Sequence, residues 1–308
     1  MNELQEILNP VSETLRNLCS HDPHDHWLAQ ETGFTIDVYG ESTHVLIGCP
    51  QDEGVRRNNG RPGAAEAPDK IRERLYRMQV SPDSGIHLYD AGNIICTSLE
   101  ESHDRLTKAV AQFLADDKRV IVLGGGNDIS FADVRAMSGV YGDISAINVD
   151  AHLDMRIAEK MTSGTPYRRL IEGDYLQPER FHEFGIRPAS NAAYYLDDAE
   201  NRGVNLHYLD EILNRGLRES FRRIISGMDE SPLFLGLDMD SVQAADAPGV
   251  SASSPIGFSG REMLQIVEEA LNYSQLKLLE ITEVNPNYDV DGRTAKLSAS
   301  LVYRFLFG

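Results

Sequence analysis

The sequence predicts an α/β protein, a three-layer α/β/α arrangement around a central parallel sheet of roughly eight strands. Three observations carry this expectation. Short runs that are apolar throughout, as in strands buried on both faces, recur along the chain. Stretches of helical character alternate with them, which places helices on both faces of the sheet. No internal repeat, low-complexity tract or linker interrupts the rhythm. Residues 1–308 are therefore expected to form one domain, with residues 1–40 as a helical and loop extension packed on it.

The elements follow in order. Residues 3–18 read as an amphipathic helix interrupted near Pro10, and residues 20–27 as a polar loop. Val45–Gly48 is a short strand that runs into a Gly/Asn/Arg-rich loop from Pro50 to Gly63. Pro68 opens a helix through about Tyr76, since proline is tolerated in a first turn. His87–Asp90 is a weak strand, residues 101–116 a helix, and Val120–Leu123 a buried-type strand followed by three glycines. A helix from about Phe131 and a strand over Ile144–Val149 come next. The second half adds strands at Arg180–Gly185, Asn205–Tyr208, Leu233–Leu237 and Leu276–Ile281, with helices between them and a last helix from Thr294 to about Phe305.

Composition narrows the function. A formal charge of −19 repels polyanions, which argues against nucleic-acid binding. No apolar run approaches the ~20 residues of a membrane span. Cys19, Cys49 and Cys96 are odd in number and scattered, so no disulfide framework is expected and a reducing, cytoplasmic setting is. The acidic N-terminus has no signal-peptide pattern.

The chemistry is concentrated at strand ends. Asp150, His152 and Asp154 stand at i, i+2 and i+4 directly after an apolar run. In extended backbone alternate side chains share a face, so the three can converge. Carboxylates with one imidazole suit Mn²⁺, and also Zn²⁺, Fe²⁺, Co²⁺ or Ni²⁺. Asp238 and Asp240 follow Leu233–Leu237 in the same manner and complete a set fit for two metals. In open α/β sheets ligands bind beyond the carboxyl ends of strands, where both groups lie. Gly124-Gly125-Gly126-Asn127-Asp128 lacks the Lys-Ser/Thr of a phosphate loop. Its glycines read instead as permitting close backbone approach to the metal site. Glu283, after the last strand, can meet a cationic amidine or guanidine, or act as a loop acid. His21, Asp22, His24, Asp25 and His26 look metal-like but read as a surface loop.

Together these segments resemble the ureohydrolase superfamily of arginases, agmatinases and formimidoylglutamases. The matching pieces are Gly124–Ser130, Asn148–Arg156, Ser163–Pro166, Gly236–Ser251 and Glu283–Pro286, with the upstream loop Asn58–Ala64 through Pro68. They stand in family order and cover nearly the whole chain. Gly236–Asp240, Ala247–Ala252 and Tyr288-Asp289 through Arg293–Leu297 are similar to formimidoylglutamases in particular. Two departures from the arginase pattern stand out: Asn127 where the family normally has a metal-ligating histidine, and Ser163 where arginases and agmatinases have a proton-shuttling histidine. Formimidoylglutamases resemble this chain at Ser163.

The resemblance implies two Mn²⁺ per subunit and a metal-bridging hydroxide that attacks an amidine carbon. Asp150 and Asp238 would bridge the metals. Asp154 and Asn127 would serve the more exposed one, and His152 and Asp240 the other. An amide oxygen is a weaker ligand than imidazole, so the metal beside Asn127 is expected to be weak or absent. Glu283 would orient the amidine, and Asp154 would relay a proton to the leaving nitrogen. Arg156 would grip a substrate carboxylate with its planar fork, with Ser163 beside it and Arg168 or Arg187 for a second carboxylate. The implied substrate is a small acidic amidine or guanidine, foremost N-formimidoyl-L-glutamate, and the implied assembly a trimer or hexamer. The rival expectations are another guanidino-acid hydrolase and a metal-poor, catalytically weak binding protein.

Overall fold

The computed structural model of the chain describes residues 2–82 and 84–308. Ten strands form one sheet. In chain order they are β1 (Leu8–Asn9), β2 (Thr32–Gly33), β3 (His44–Gly48), β4 (Leu88–Ile94) and β5 (Arg119–Leu123). Then come β6 (Ser145–Val149), β7 (Phe181–Ile186), β8 (Asn205–Tyr208), β9 (Leu233–Asp238) and β10 (Leu276–Thr282). The spatial order β4-β3-β5-β10-β9-β6-β7-β8 is parallel throughout. These eight are the strands the sequence predicts. The two short ones both pair with β4, β1 antiparallel and β2 parallel.

The period-2 alternation of buried strands assigns each side chain to a face. Ile121, Leu123, Leu235, Leu237, Leu279 and Ile281 enter one apolar core with Ile71, Phe221, Ile266 and Val302. The helices behind that core are Ala67–Leu75, Leu217–Gly227, Gly260–Leu271 and Arg293–Phe307. Val120, Val122, Phe234 and Leu278 enter the other with Leu106, Val134 and Tyr167. Its helices are Leu99–Ala115, Ser130–Tyr141 and Pro166–Glu172. A sheet covered by helices on both faces is the three-layer α/β/α architecture. No helix of the described residues is long and apolar enough to cross a membrane.

Two local expectations change. The segment 3–18 is not one interrupted helix: helix Asn2–Gln5 and helix Glu13–Arg16 flank β1, whose Leu8 lies opposite Ile94. Pro10 ends β1 because it has no N–H to continue the ladder. The loop 50–63 contains a short helix, Glu53–Arg57.

Polar groups tie the layers together. Arg72 is fully buried. Its Nε donates to Asp90 Oδ2 at 2.8 Å and its Nη2 to Asp90 Oδ1 at 2.9 Å, while Nη1 reaches Asn93. The pair holds the helix Ala67–Leu75 to β4, and Tyr76 also donates to Asp90. Removing one partner leaves a buried charge uncompensated. Arg72→Met is therefore expected to cost about 3–5 kcal/mol in chemical denaturation. Adding Asp90→Asn, which removes that charge, is expected to recover part of the loss.

Asp133 and Glu280, on the helix Ser130–Tyr141 and on β10, face one another fully buried. Burial, together with the neighbouring Glu280 charge, raises the Asp133 pKa well above the carboxylate range. Burial pushes Glu280 up to about 7. A carboxyl whose pKa is higher folded than unfolded stabilises fully below the unfolded value, near 4, and loses that contribution as pH rises through the folded value. The melting temperature is thus expected to fall as pH climbs through neutrality. Glu280→Gln, which keeps a side-chain hydrogen-bond partner for Ser130 Oγ, should flatten that fall. An unchanged slope in melting curves from pH 5 to 9 would rule the pair out as its source.

Candidate metal centre

Four adjacent strands, in the order β5, β10, β9 and β6, end on the same edge of the sheet and deliver the polar residues. β6 gives way to Asp150, β9 ends in Asp238, β10 leads into Glu283, and β5 leads through three glycines to Asn127. The two acidic motifs are built alike. Asp150 Oδ1 accepts the His152 backbone N–H at 2.8 Å, and Asp238 Oδ1 accepts that of Asp240 at 2.8 Å. Each aspartate closes a turn two residues on. Convergence therefore does not come from extended backbone, as the spacing suggested. β6 stops at Val149, and Asp154 takes a left-handed φ of 46°. Glu283 does the same, with φ 61°. Such backbone is uncommon for residues other than glycine and clusters at functional sites.

Two groups of potential ligands result. Asp150, His152 and Asp240 bring ligand atoms within 4.8 Å of one another, as do Asp150, Asp154 and Asp238. Asp150 belongs to both. His152 Nδ1 lies 3.4 Å from Asp150 Oδ1 and 3.2 Å from Asp240 Oδ1. The latter oxygen is buried and has no hydrogen bond. Desolvation, and next the Asp240 charge, raise the pKa of Asp150, Asp238 and Glu283, and desolvation then Asp150 raise that of Asp154. Asp240 pushes His152 up to about 12. Crowded carboxylates that resist ionisation beside an orphaned carboxylate oxygen are the donor set a divalent cation satisfies.

Asn127 is placed differently from the other five. Its Nδ2 donates to Asp154 at 2.7 Å and approaches Asp150 at 3.5 Å. Its Oδ1 accepts from Thr282 Oγ1 at 3.1 Å and from Ser130 Oγ at 3.0 Å. The hydroxyls thus turn the amide oxygen away from the ligand groups. The Asn127 N–H donates to Glu283 Oε1 at 3.0 Å. The glycines before it allow close backbone approach on two sides. The Glu283 N–H donates to Gly125 O at 2.9 Å, and a Cβ at Gly125 would run into the Gln51 carbonyl of the 49–51 loop.

A cavity of about 410 Å³ opens over these groups. His152, Asp154, Asp238, Asp240, Glu283, Arg156 and Ser163 all line it. Arg156 is exposed, its N–H donates to Gly164 O, and its side chain has no hydrogen bond or ion pair among the described residues. A Cβ on Gly164 would meet the Arg156 stem at 3.0 Å. Ser163 Oγ accepts from Asn58 Nδ2 at 3.2 Å.

Two predicted carboxylate anchors lie elsewhere. Arg168 is 4% exposed and does not line the cavity. Its Nε holds Met155 O at 2.7 Å, and its fork is taken by Glu172 and Asp198. It braces the 150–156 loop instead. Arg187 donates to Ile256 O and does not line the cavity. The His21–His26 segment forms no ligand group among the described residues; Asp25 pairs with Ser20 and Gln79, and His26 with Glu31. Sequence reasoning missed Asn191, which accepts Leu153 N–H at 3.0 Å and donates to Ala151 O at 2.9 Å, shaping the metal loop. It also gave no role to Arg61, Tyr195 and Ser251, all of which line the cavity. Arg61 and Ser251 lie within the family-like segments Asn58–Ala64 and Gly236–Ser251; nothing local in the sequence marks Asn191 or Tyr195.

Comparisons with known proteins place the chain in a family. The family described as "Arginase family" matches residues 42–308. The formimidoylglutamase of Citrobacter koseri is 33% identical over 281 residues, 89% of this chain and 88% of that protein. That of Staphylococcus carnosus is 34% identical over 85% of each. The solved structure of Trypanosoma cruzi formiminoglutamase with Mn²⁺ superposes with a TM-score of 0.86 at 31% identity, covering 92% of this chain and 98% of that one. With the family matched over most of its length, this chain belongs to the arginase family.

Proposed function

We propose that the chain is a formimidoylglutamase, which hydrolyses N-formimidoyl-L-glutamate to L-glutamate and formamide. The observation that carries this reading is one cavity lined by both the Asp/His groups and an uncommitted guanidinium, Arg156. The acids suit metal-assisted attack on an amidine; the arginine suits a substrate that bears carboxylates. The names of the relatives support the same reading.

Two Mn²⁺ ions are the cofactors in this reading. Asp150 and Asp238 would be shared by both, with His152 and Asp240 on one and Asp154 on the other. Bound divalent metals lower the pKa of water and so supply a nucleophile near neutral pH. Glu283, buried at the cavity floor and fixed through the Asn127 N–H, pairs with the cationic amidine and orients it. Asp154 would take the proton given up by the attacking water and pass it to the departing glutamate nitrogen. Arg156 grips a carboxylate in its bidentate fork, beside the Ser163 hydroxyl. An agmatine-like substrate, lacking any carboxylate, would leave Arg156 without a partner.

The test is a substrate panel run with metal quantification after Mn²⁺ loading. N-formimidoyl-L-glutamate is expected to turn over faster than arginine, agmatine or other guanidino acids; faster turnover of any of these overturns the substrate assignment. Protein that retains no metal under any loading condition overturns the enzyme reading. A second reading, a metal-poor binding protein, is motivated by the Asn127 amide oxygen pointing away from the ligand groups. Asn127→His supplies an imidazole there and is expected to raise bound metal towards two per chain. Metal content unchanged by that substitution refutes a ligand role for the position.

A further inference from the structure

Resting on the reading of an acidic amidine substrate, we propose that Arg61 is a second carboxylate anchor and sets the preference for dicarboxylic over monocarboxylic amidines. Among the residues that line the cavity, Arg61 and Arg156 alone carry a permanent positive charge. They come from separate loops, Arg61 after the helix Glu53–Arg57 and Arg156 after β6. A substrate with two carboxylates approaching an acidic floor in a chain of charge −19 needs two fixed cations nearby.

Arg61 is held as a presenting group. Its Nε donates to Ser251 O at 2.8 Å and its Nη2 to Val250 O at 2.6 Å. The backbone follows, with Arg61 N–H on Ser251 Oγ at 2.8 Å and Asn285 Nδ2 on Arg61 O at 2.9 Å. The guanidinium carbon lies 4.0 Å from the centre of the Tyr288 ring, and such stacking holds the plane flat. The two carbonyls occupy the Nε/Nη2 edge. The other edge, Nη1 with the remaining Nη2 hydrogen, has no hydrogen bond among the described residues. That is the edge a carboxylate meets with two parallel bonds. Because the side chain is already ordered, little rotamer freedom is lost when it binds. Arg168, the same residue type nearby, has its fork filled by Asp198 and Glu172. Arg61 has no acidic partner among the described residues.

The experiment compares N-formimidoyl-L-glutamate with its two monoamides, in which one carboxylate or the other becomes a neutral carboxamide, on Mn²⁺-loaded wild type and Arg61→Gln. For the diacid, Arg61→Gln is expected to raise KM roughly 10- to 100-fold with kcat little changed, the size of a charge-assisted hydrogen-bonded contact. For one monoamide that penalty should persist; for the other, whose lost carboxylate is the one Arg61 holds, it should vanish. Arg61→Lys keeps the charge without the fork and should fall between. Unchanged melting temperature and Mn²⁺ content certify that the variants fold. An equal penalty on all three substrates, or none on the diacid, overturns the Arg61 assignment while the function stands. Wild type inert towards the diacid and both monoamides overturns the function and the anchor together.

Discussion

The parallel sheet imposes a constraint from which the rest follows. Parallel strands all point their carboxyl ends the same way, so β5, β10, β9 and β6 bring their outgoing loops to one edge. Three of those loops begin with or soon reach a carboxylate, and burial denies these carboxylates the water that would stabilise their charge. Asp150, Asp238 and Asp240 sit within reach of one another, raising the free energy of ionisation for their neighbours. Hydrogen bonds from backbone N–H groups offset only part of that cost. A divalent cation offsets far more, since it meets several carboxylates at once. A core layout that serves packing on both faces thus concentrates negative charge at a single place.

Holding that charge in place falls to groups outside the ligand set. Asn148 reaches Asp150 at 3.3 Å and Glu183 at 3.2 Å from within β6. Asn191 and Arg168 take three backbone groups of the 151–155 stretch, which fixes a loop that would otherwise be free to open. The left-handed backbone at Asp154 is unfavourable locally and is held by these surrounding bonds; that at Glu283 is held by its N–H on Gly125 O and by the Asn127 N–H on its carboxylate. Ligand geometry is thereby specified by the sheet and its braces together.

Much of this was legible in the sequence because it is local. The central strands β3, β5, β6, β9 and β10 were legible as apolar runs, since burial on both faces leaves a continuous apolar mark, whereas β8 (Asn205–Tyr208) is half-buried and carries a weaker one. Asp150, His152, Asp154, Asp238 and Asp240 were legible as ligand types at strand ends. Their route to convergence was not: the i, i+2, i+4 spacing fits extended backbone, whereas aspartate-closed turns and a left-handed Asp154 bring them together. β1 was misread because an edge strand of two residues leaves too short a pattern to tell from a frayed helix. The orientation of the Asn127 amide was beyond reach, because it depends on Thr282 as well as on nearby Ser130, and chain order does not place Thr282 beside it.

The arginines show why non-local charge is the hardest feature to read. Arg156, Arg168, Arg187 and Arg61 are chemically identical; position in the motif singles out Arg156, but the sequence does not say which other arginine meets a second carboxylate. What separates them is where their donors already go. Arg168 is surrounded by Glu172 and Asp198, one four residues along its own helix and the other on the helix Ala193–Arg202. A guanidinium so neutralised has little left to give a substrate, and its remaining bond braces the metal loop. Arg61 meets carbonyls and a ring instead, which orient the group without cancelling its charge. Backbone carbonyls and an aromatic face are therefore what turn an arginine into a binding group, whereas an acidic partner turns it into a structural one. In a chain with 48 acidic and 29 basic residues, an arginine at the cavity wall without an acidic partner is held against the prevailing electrostatic composition. Its freedom from pairing distinguishes it more than its position in the sequence does.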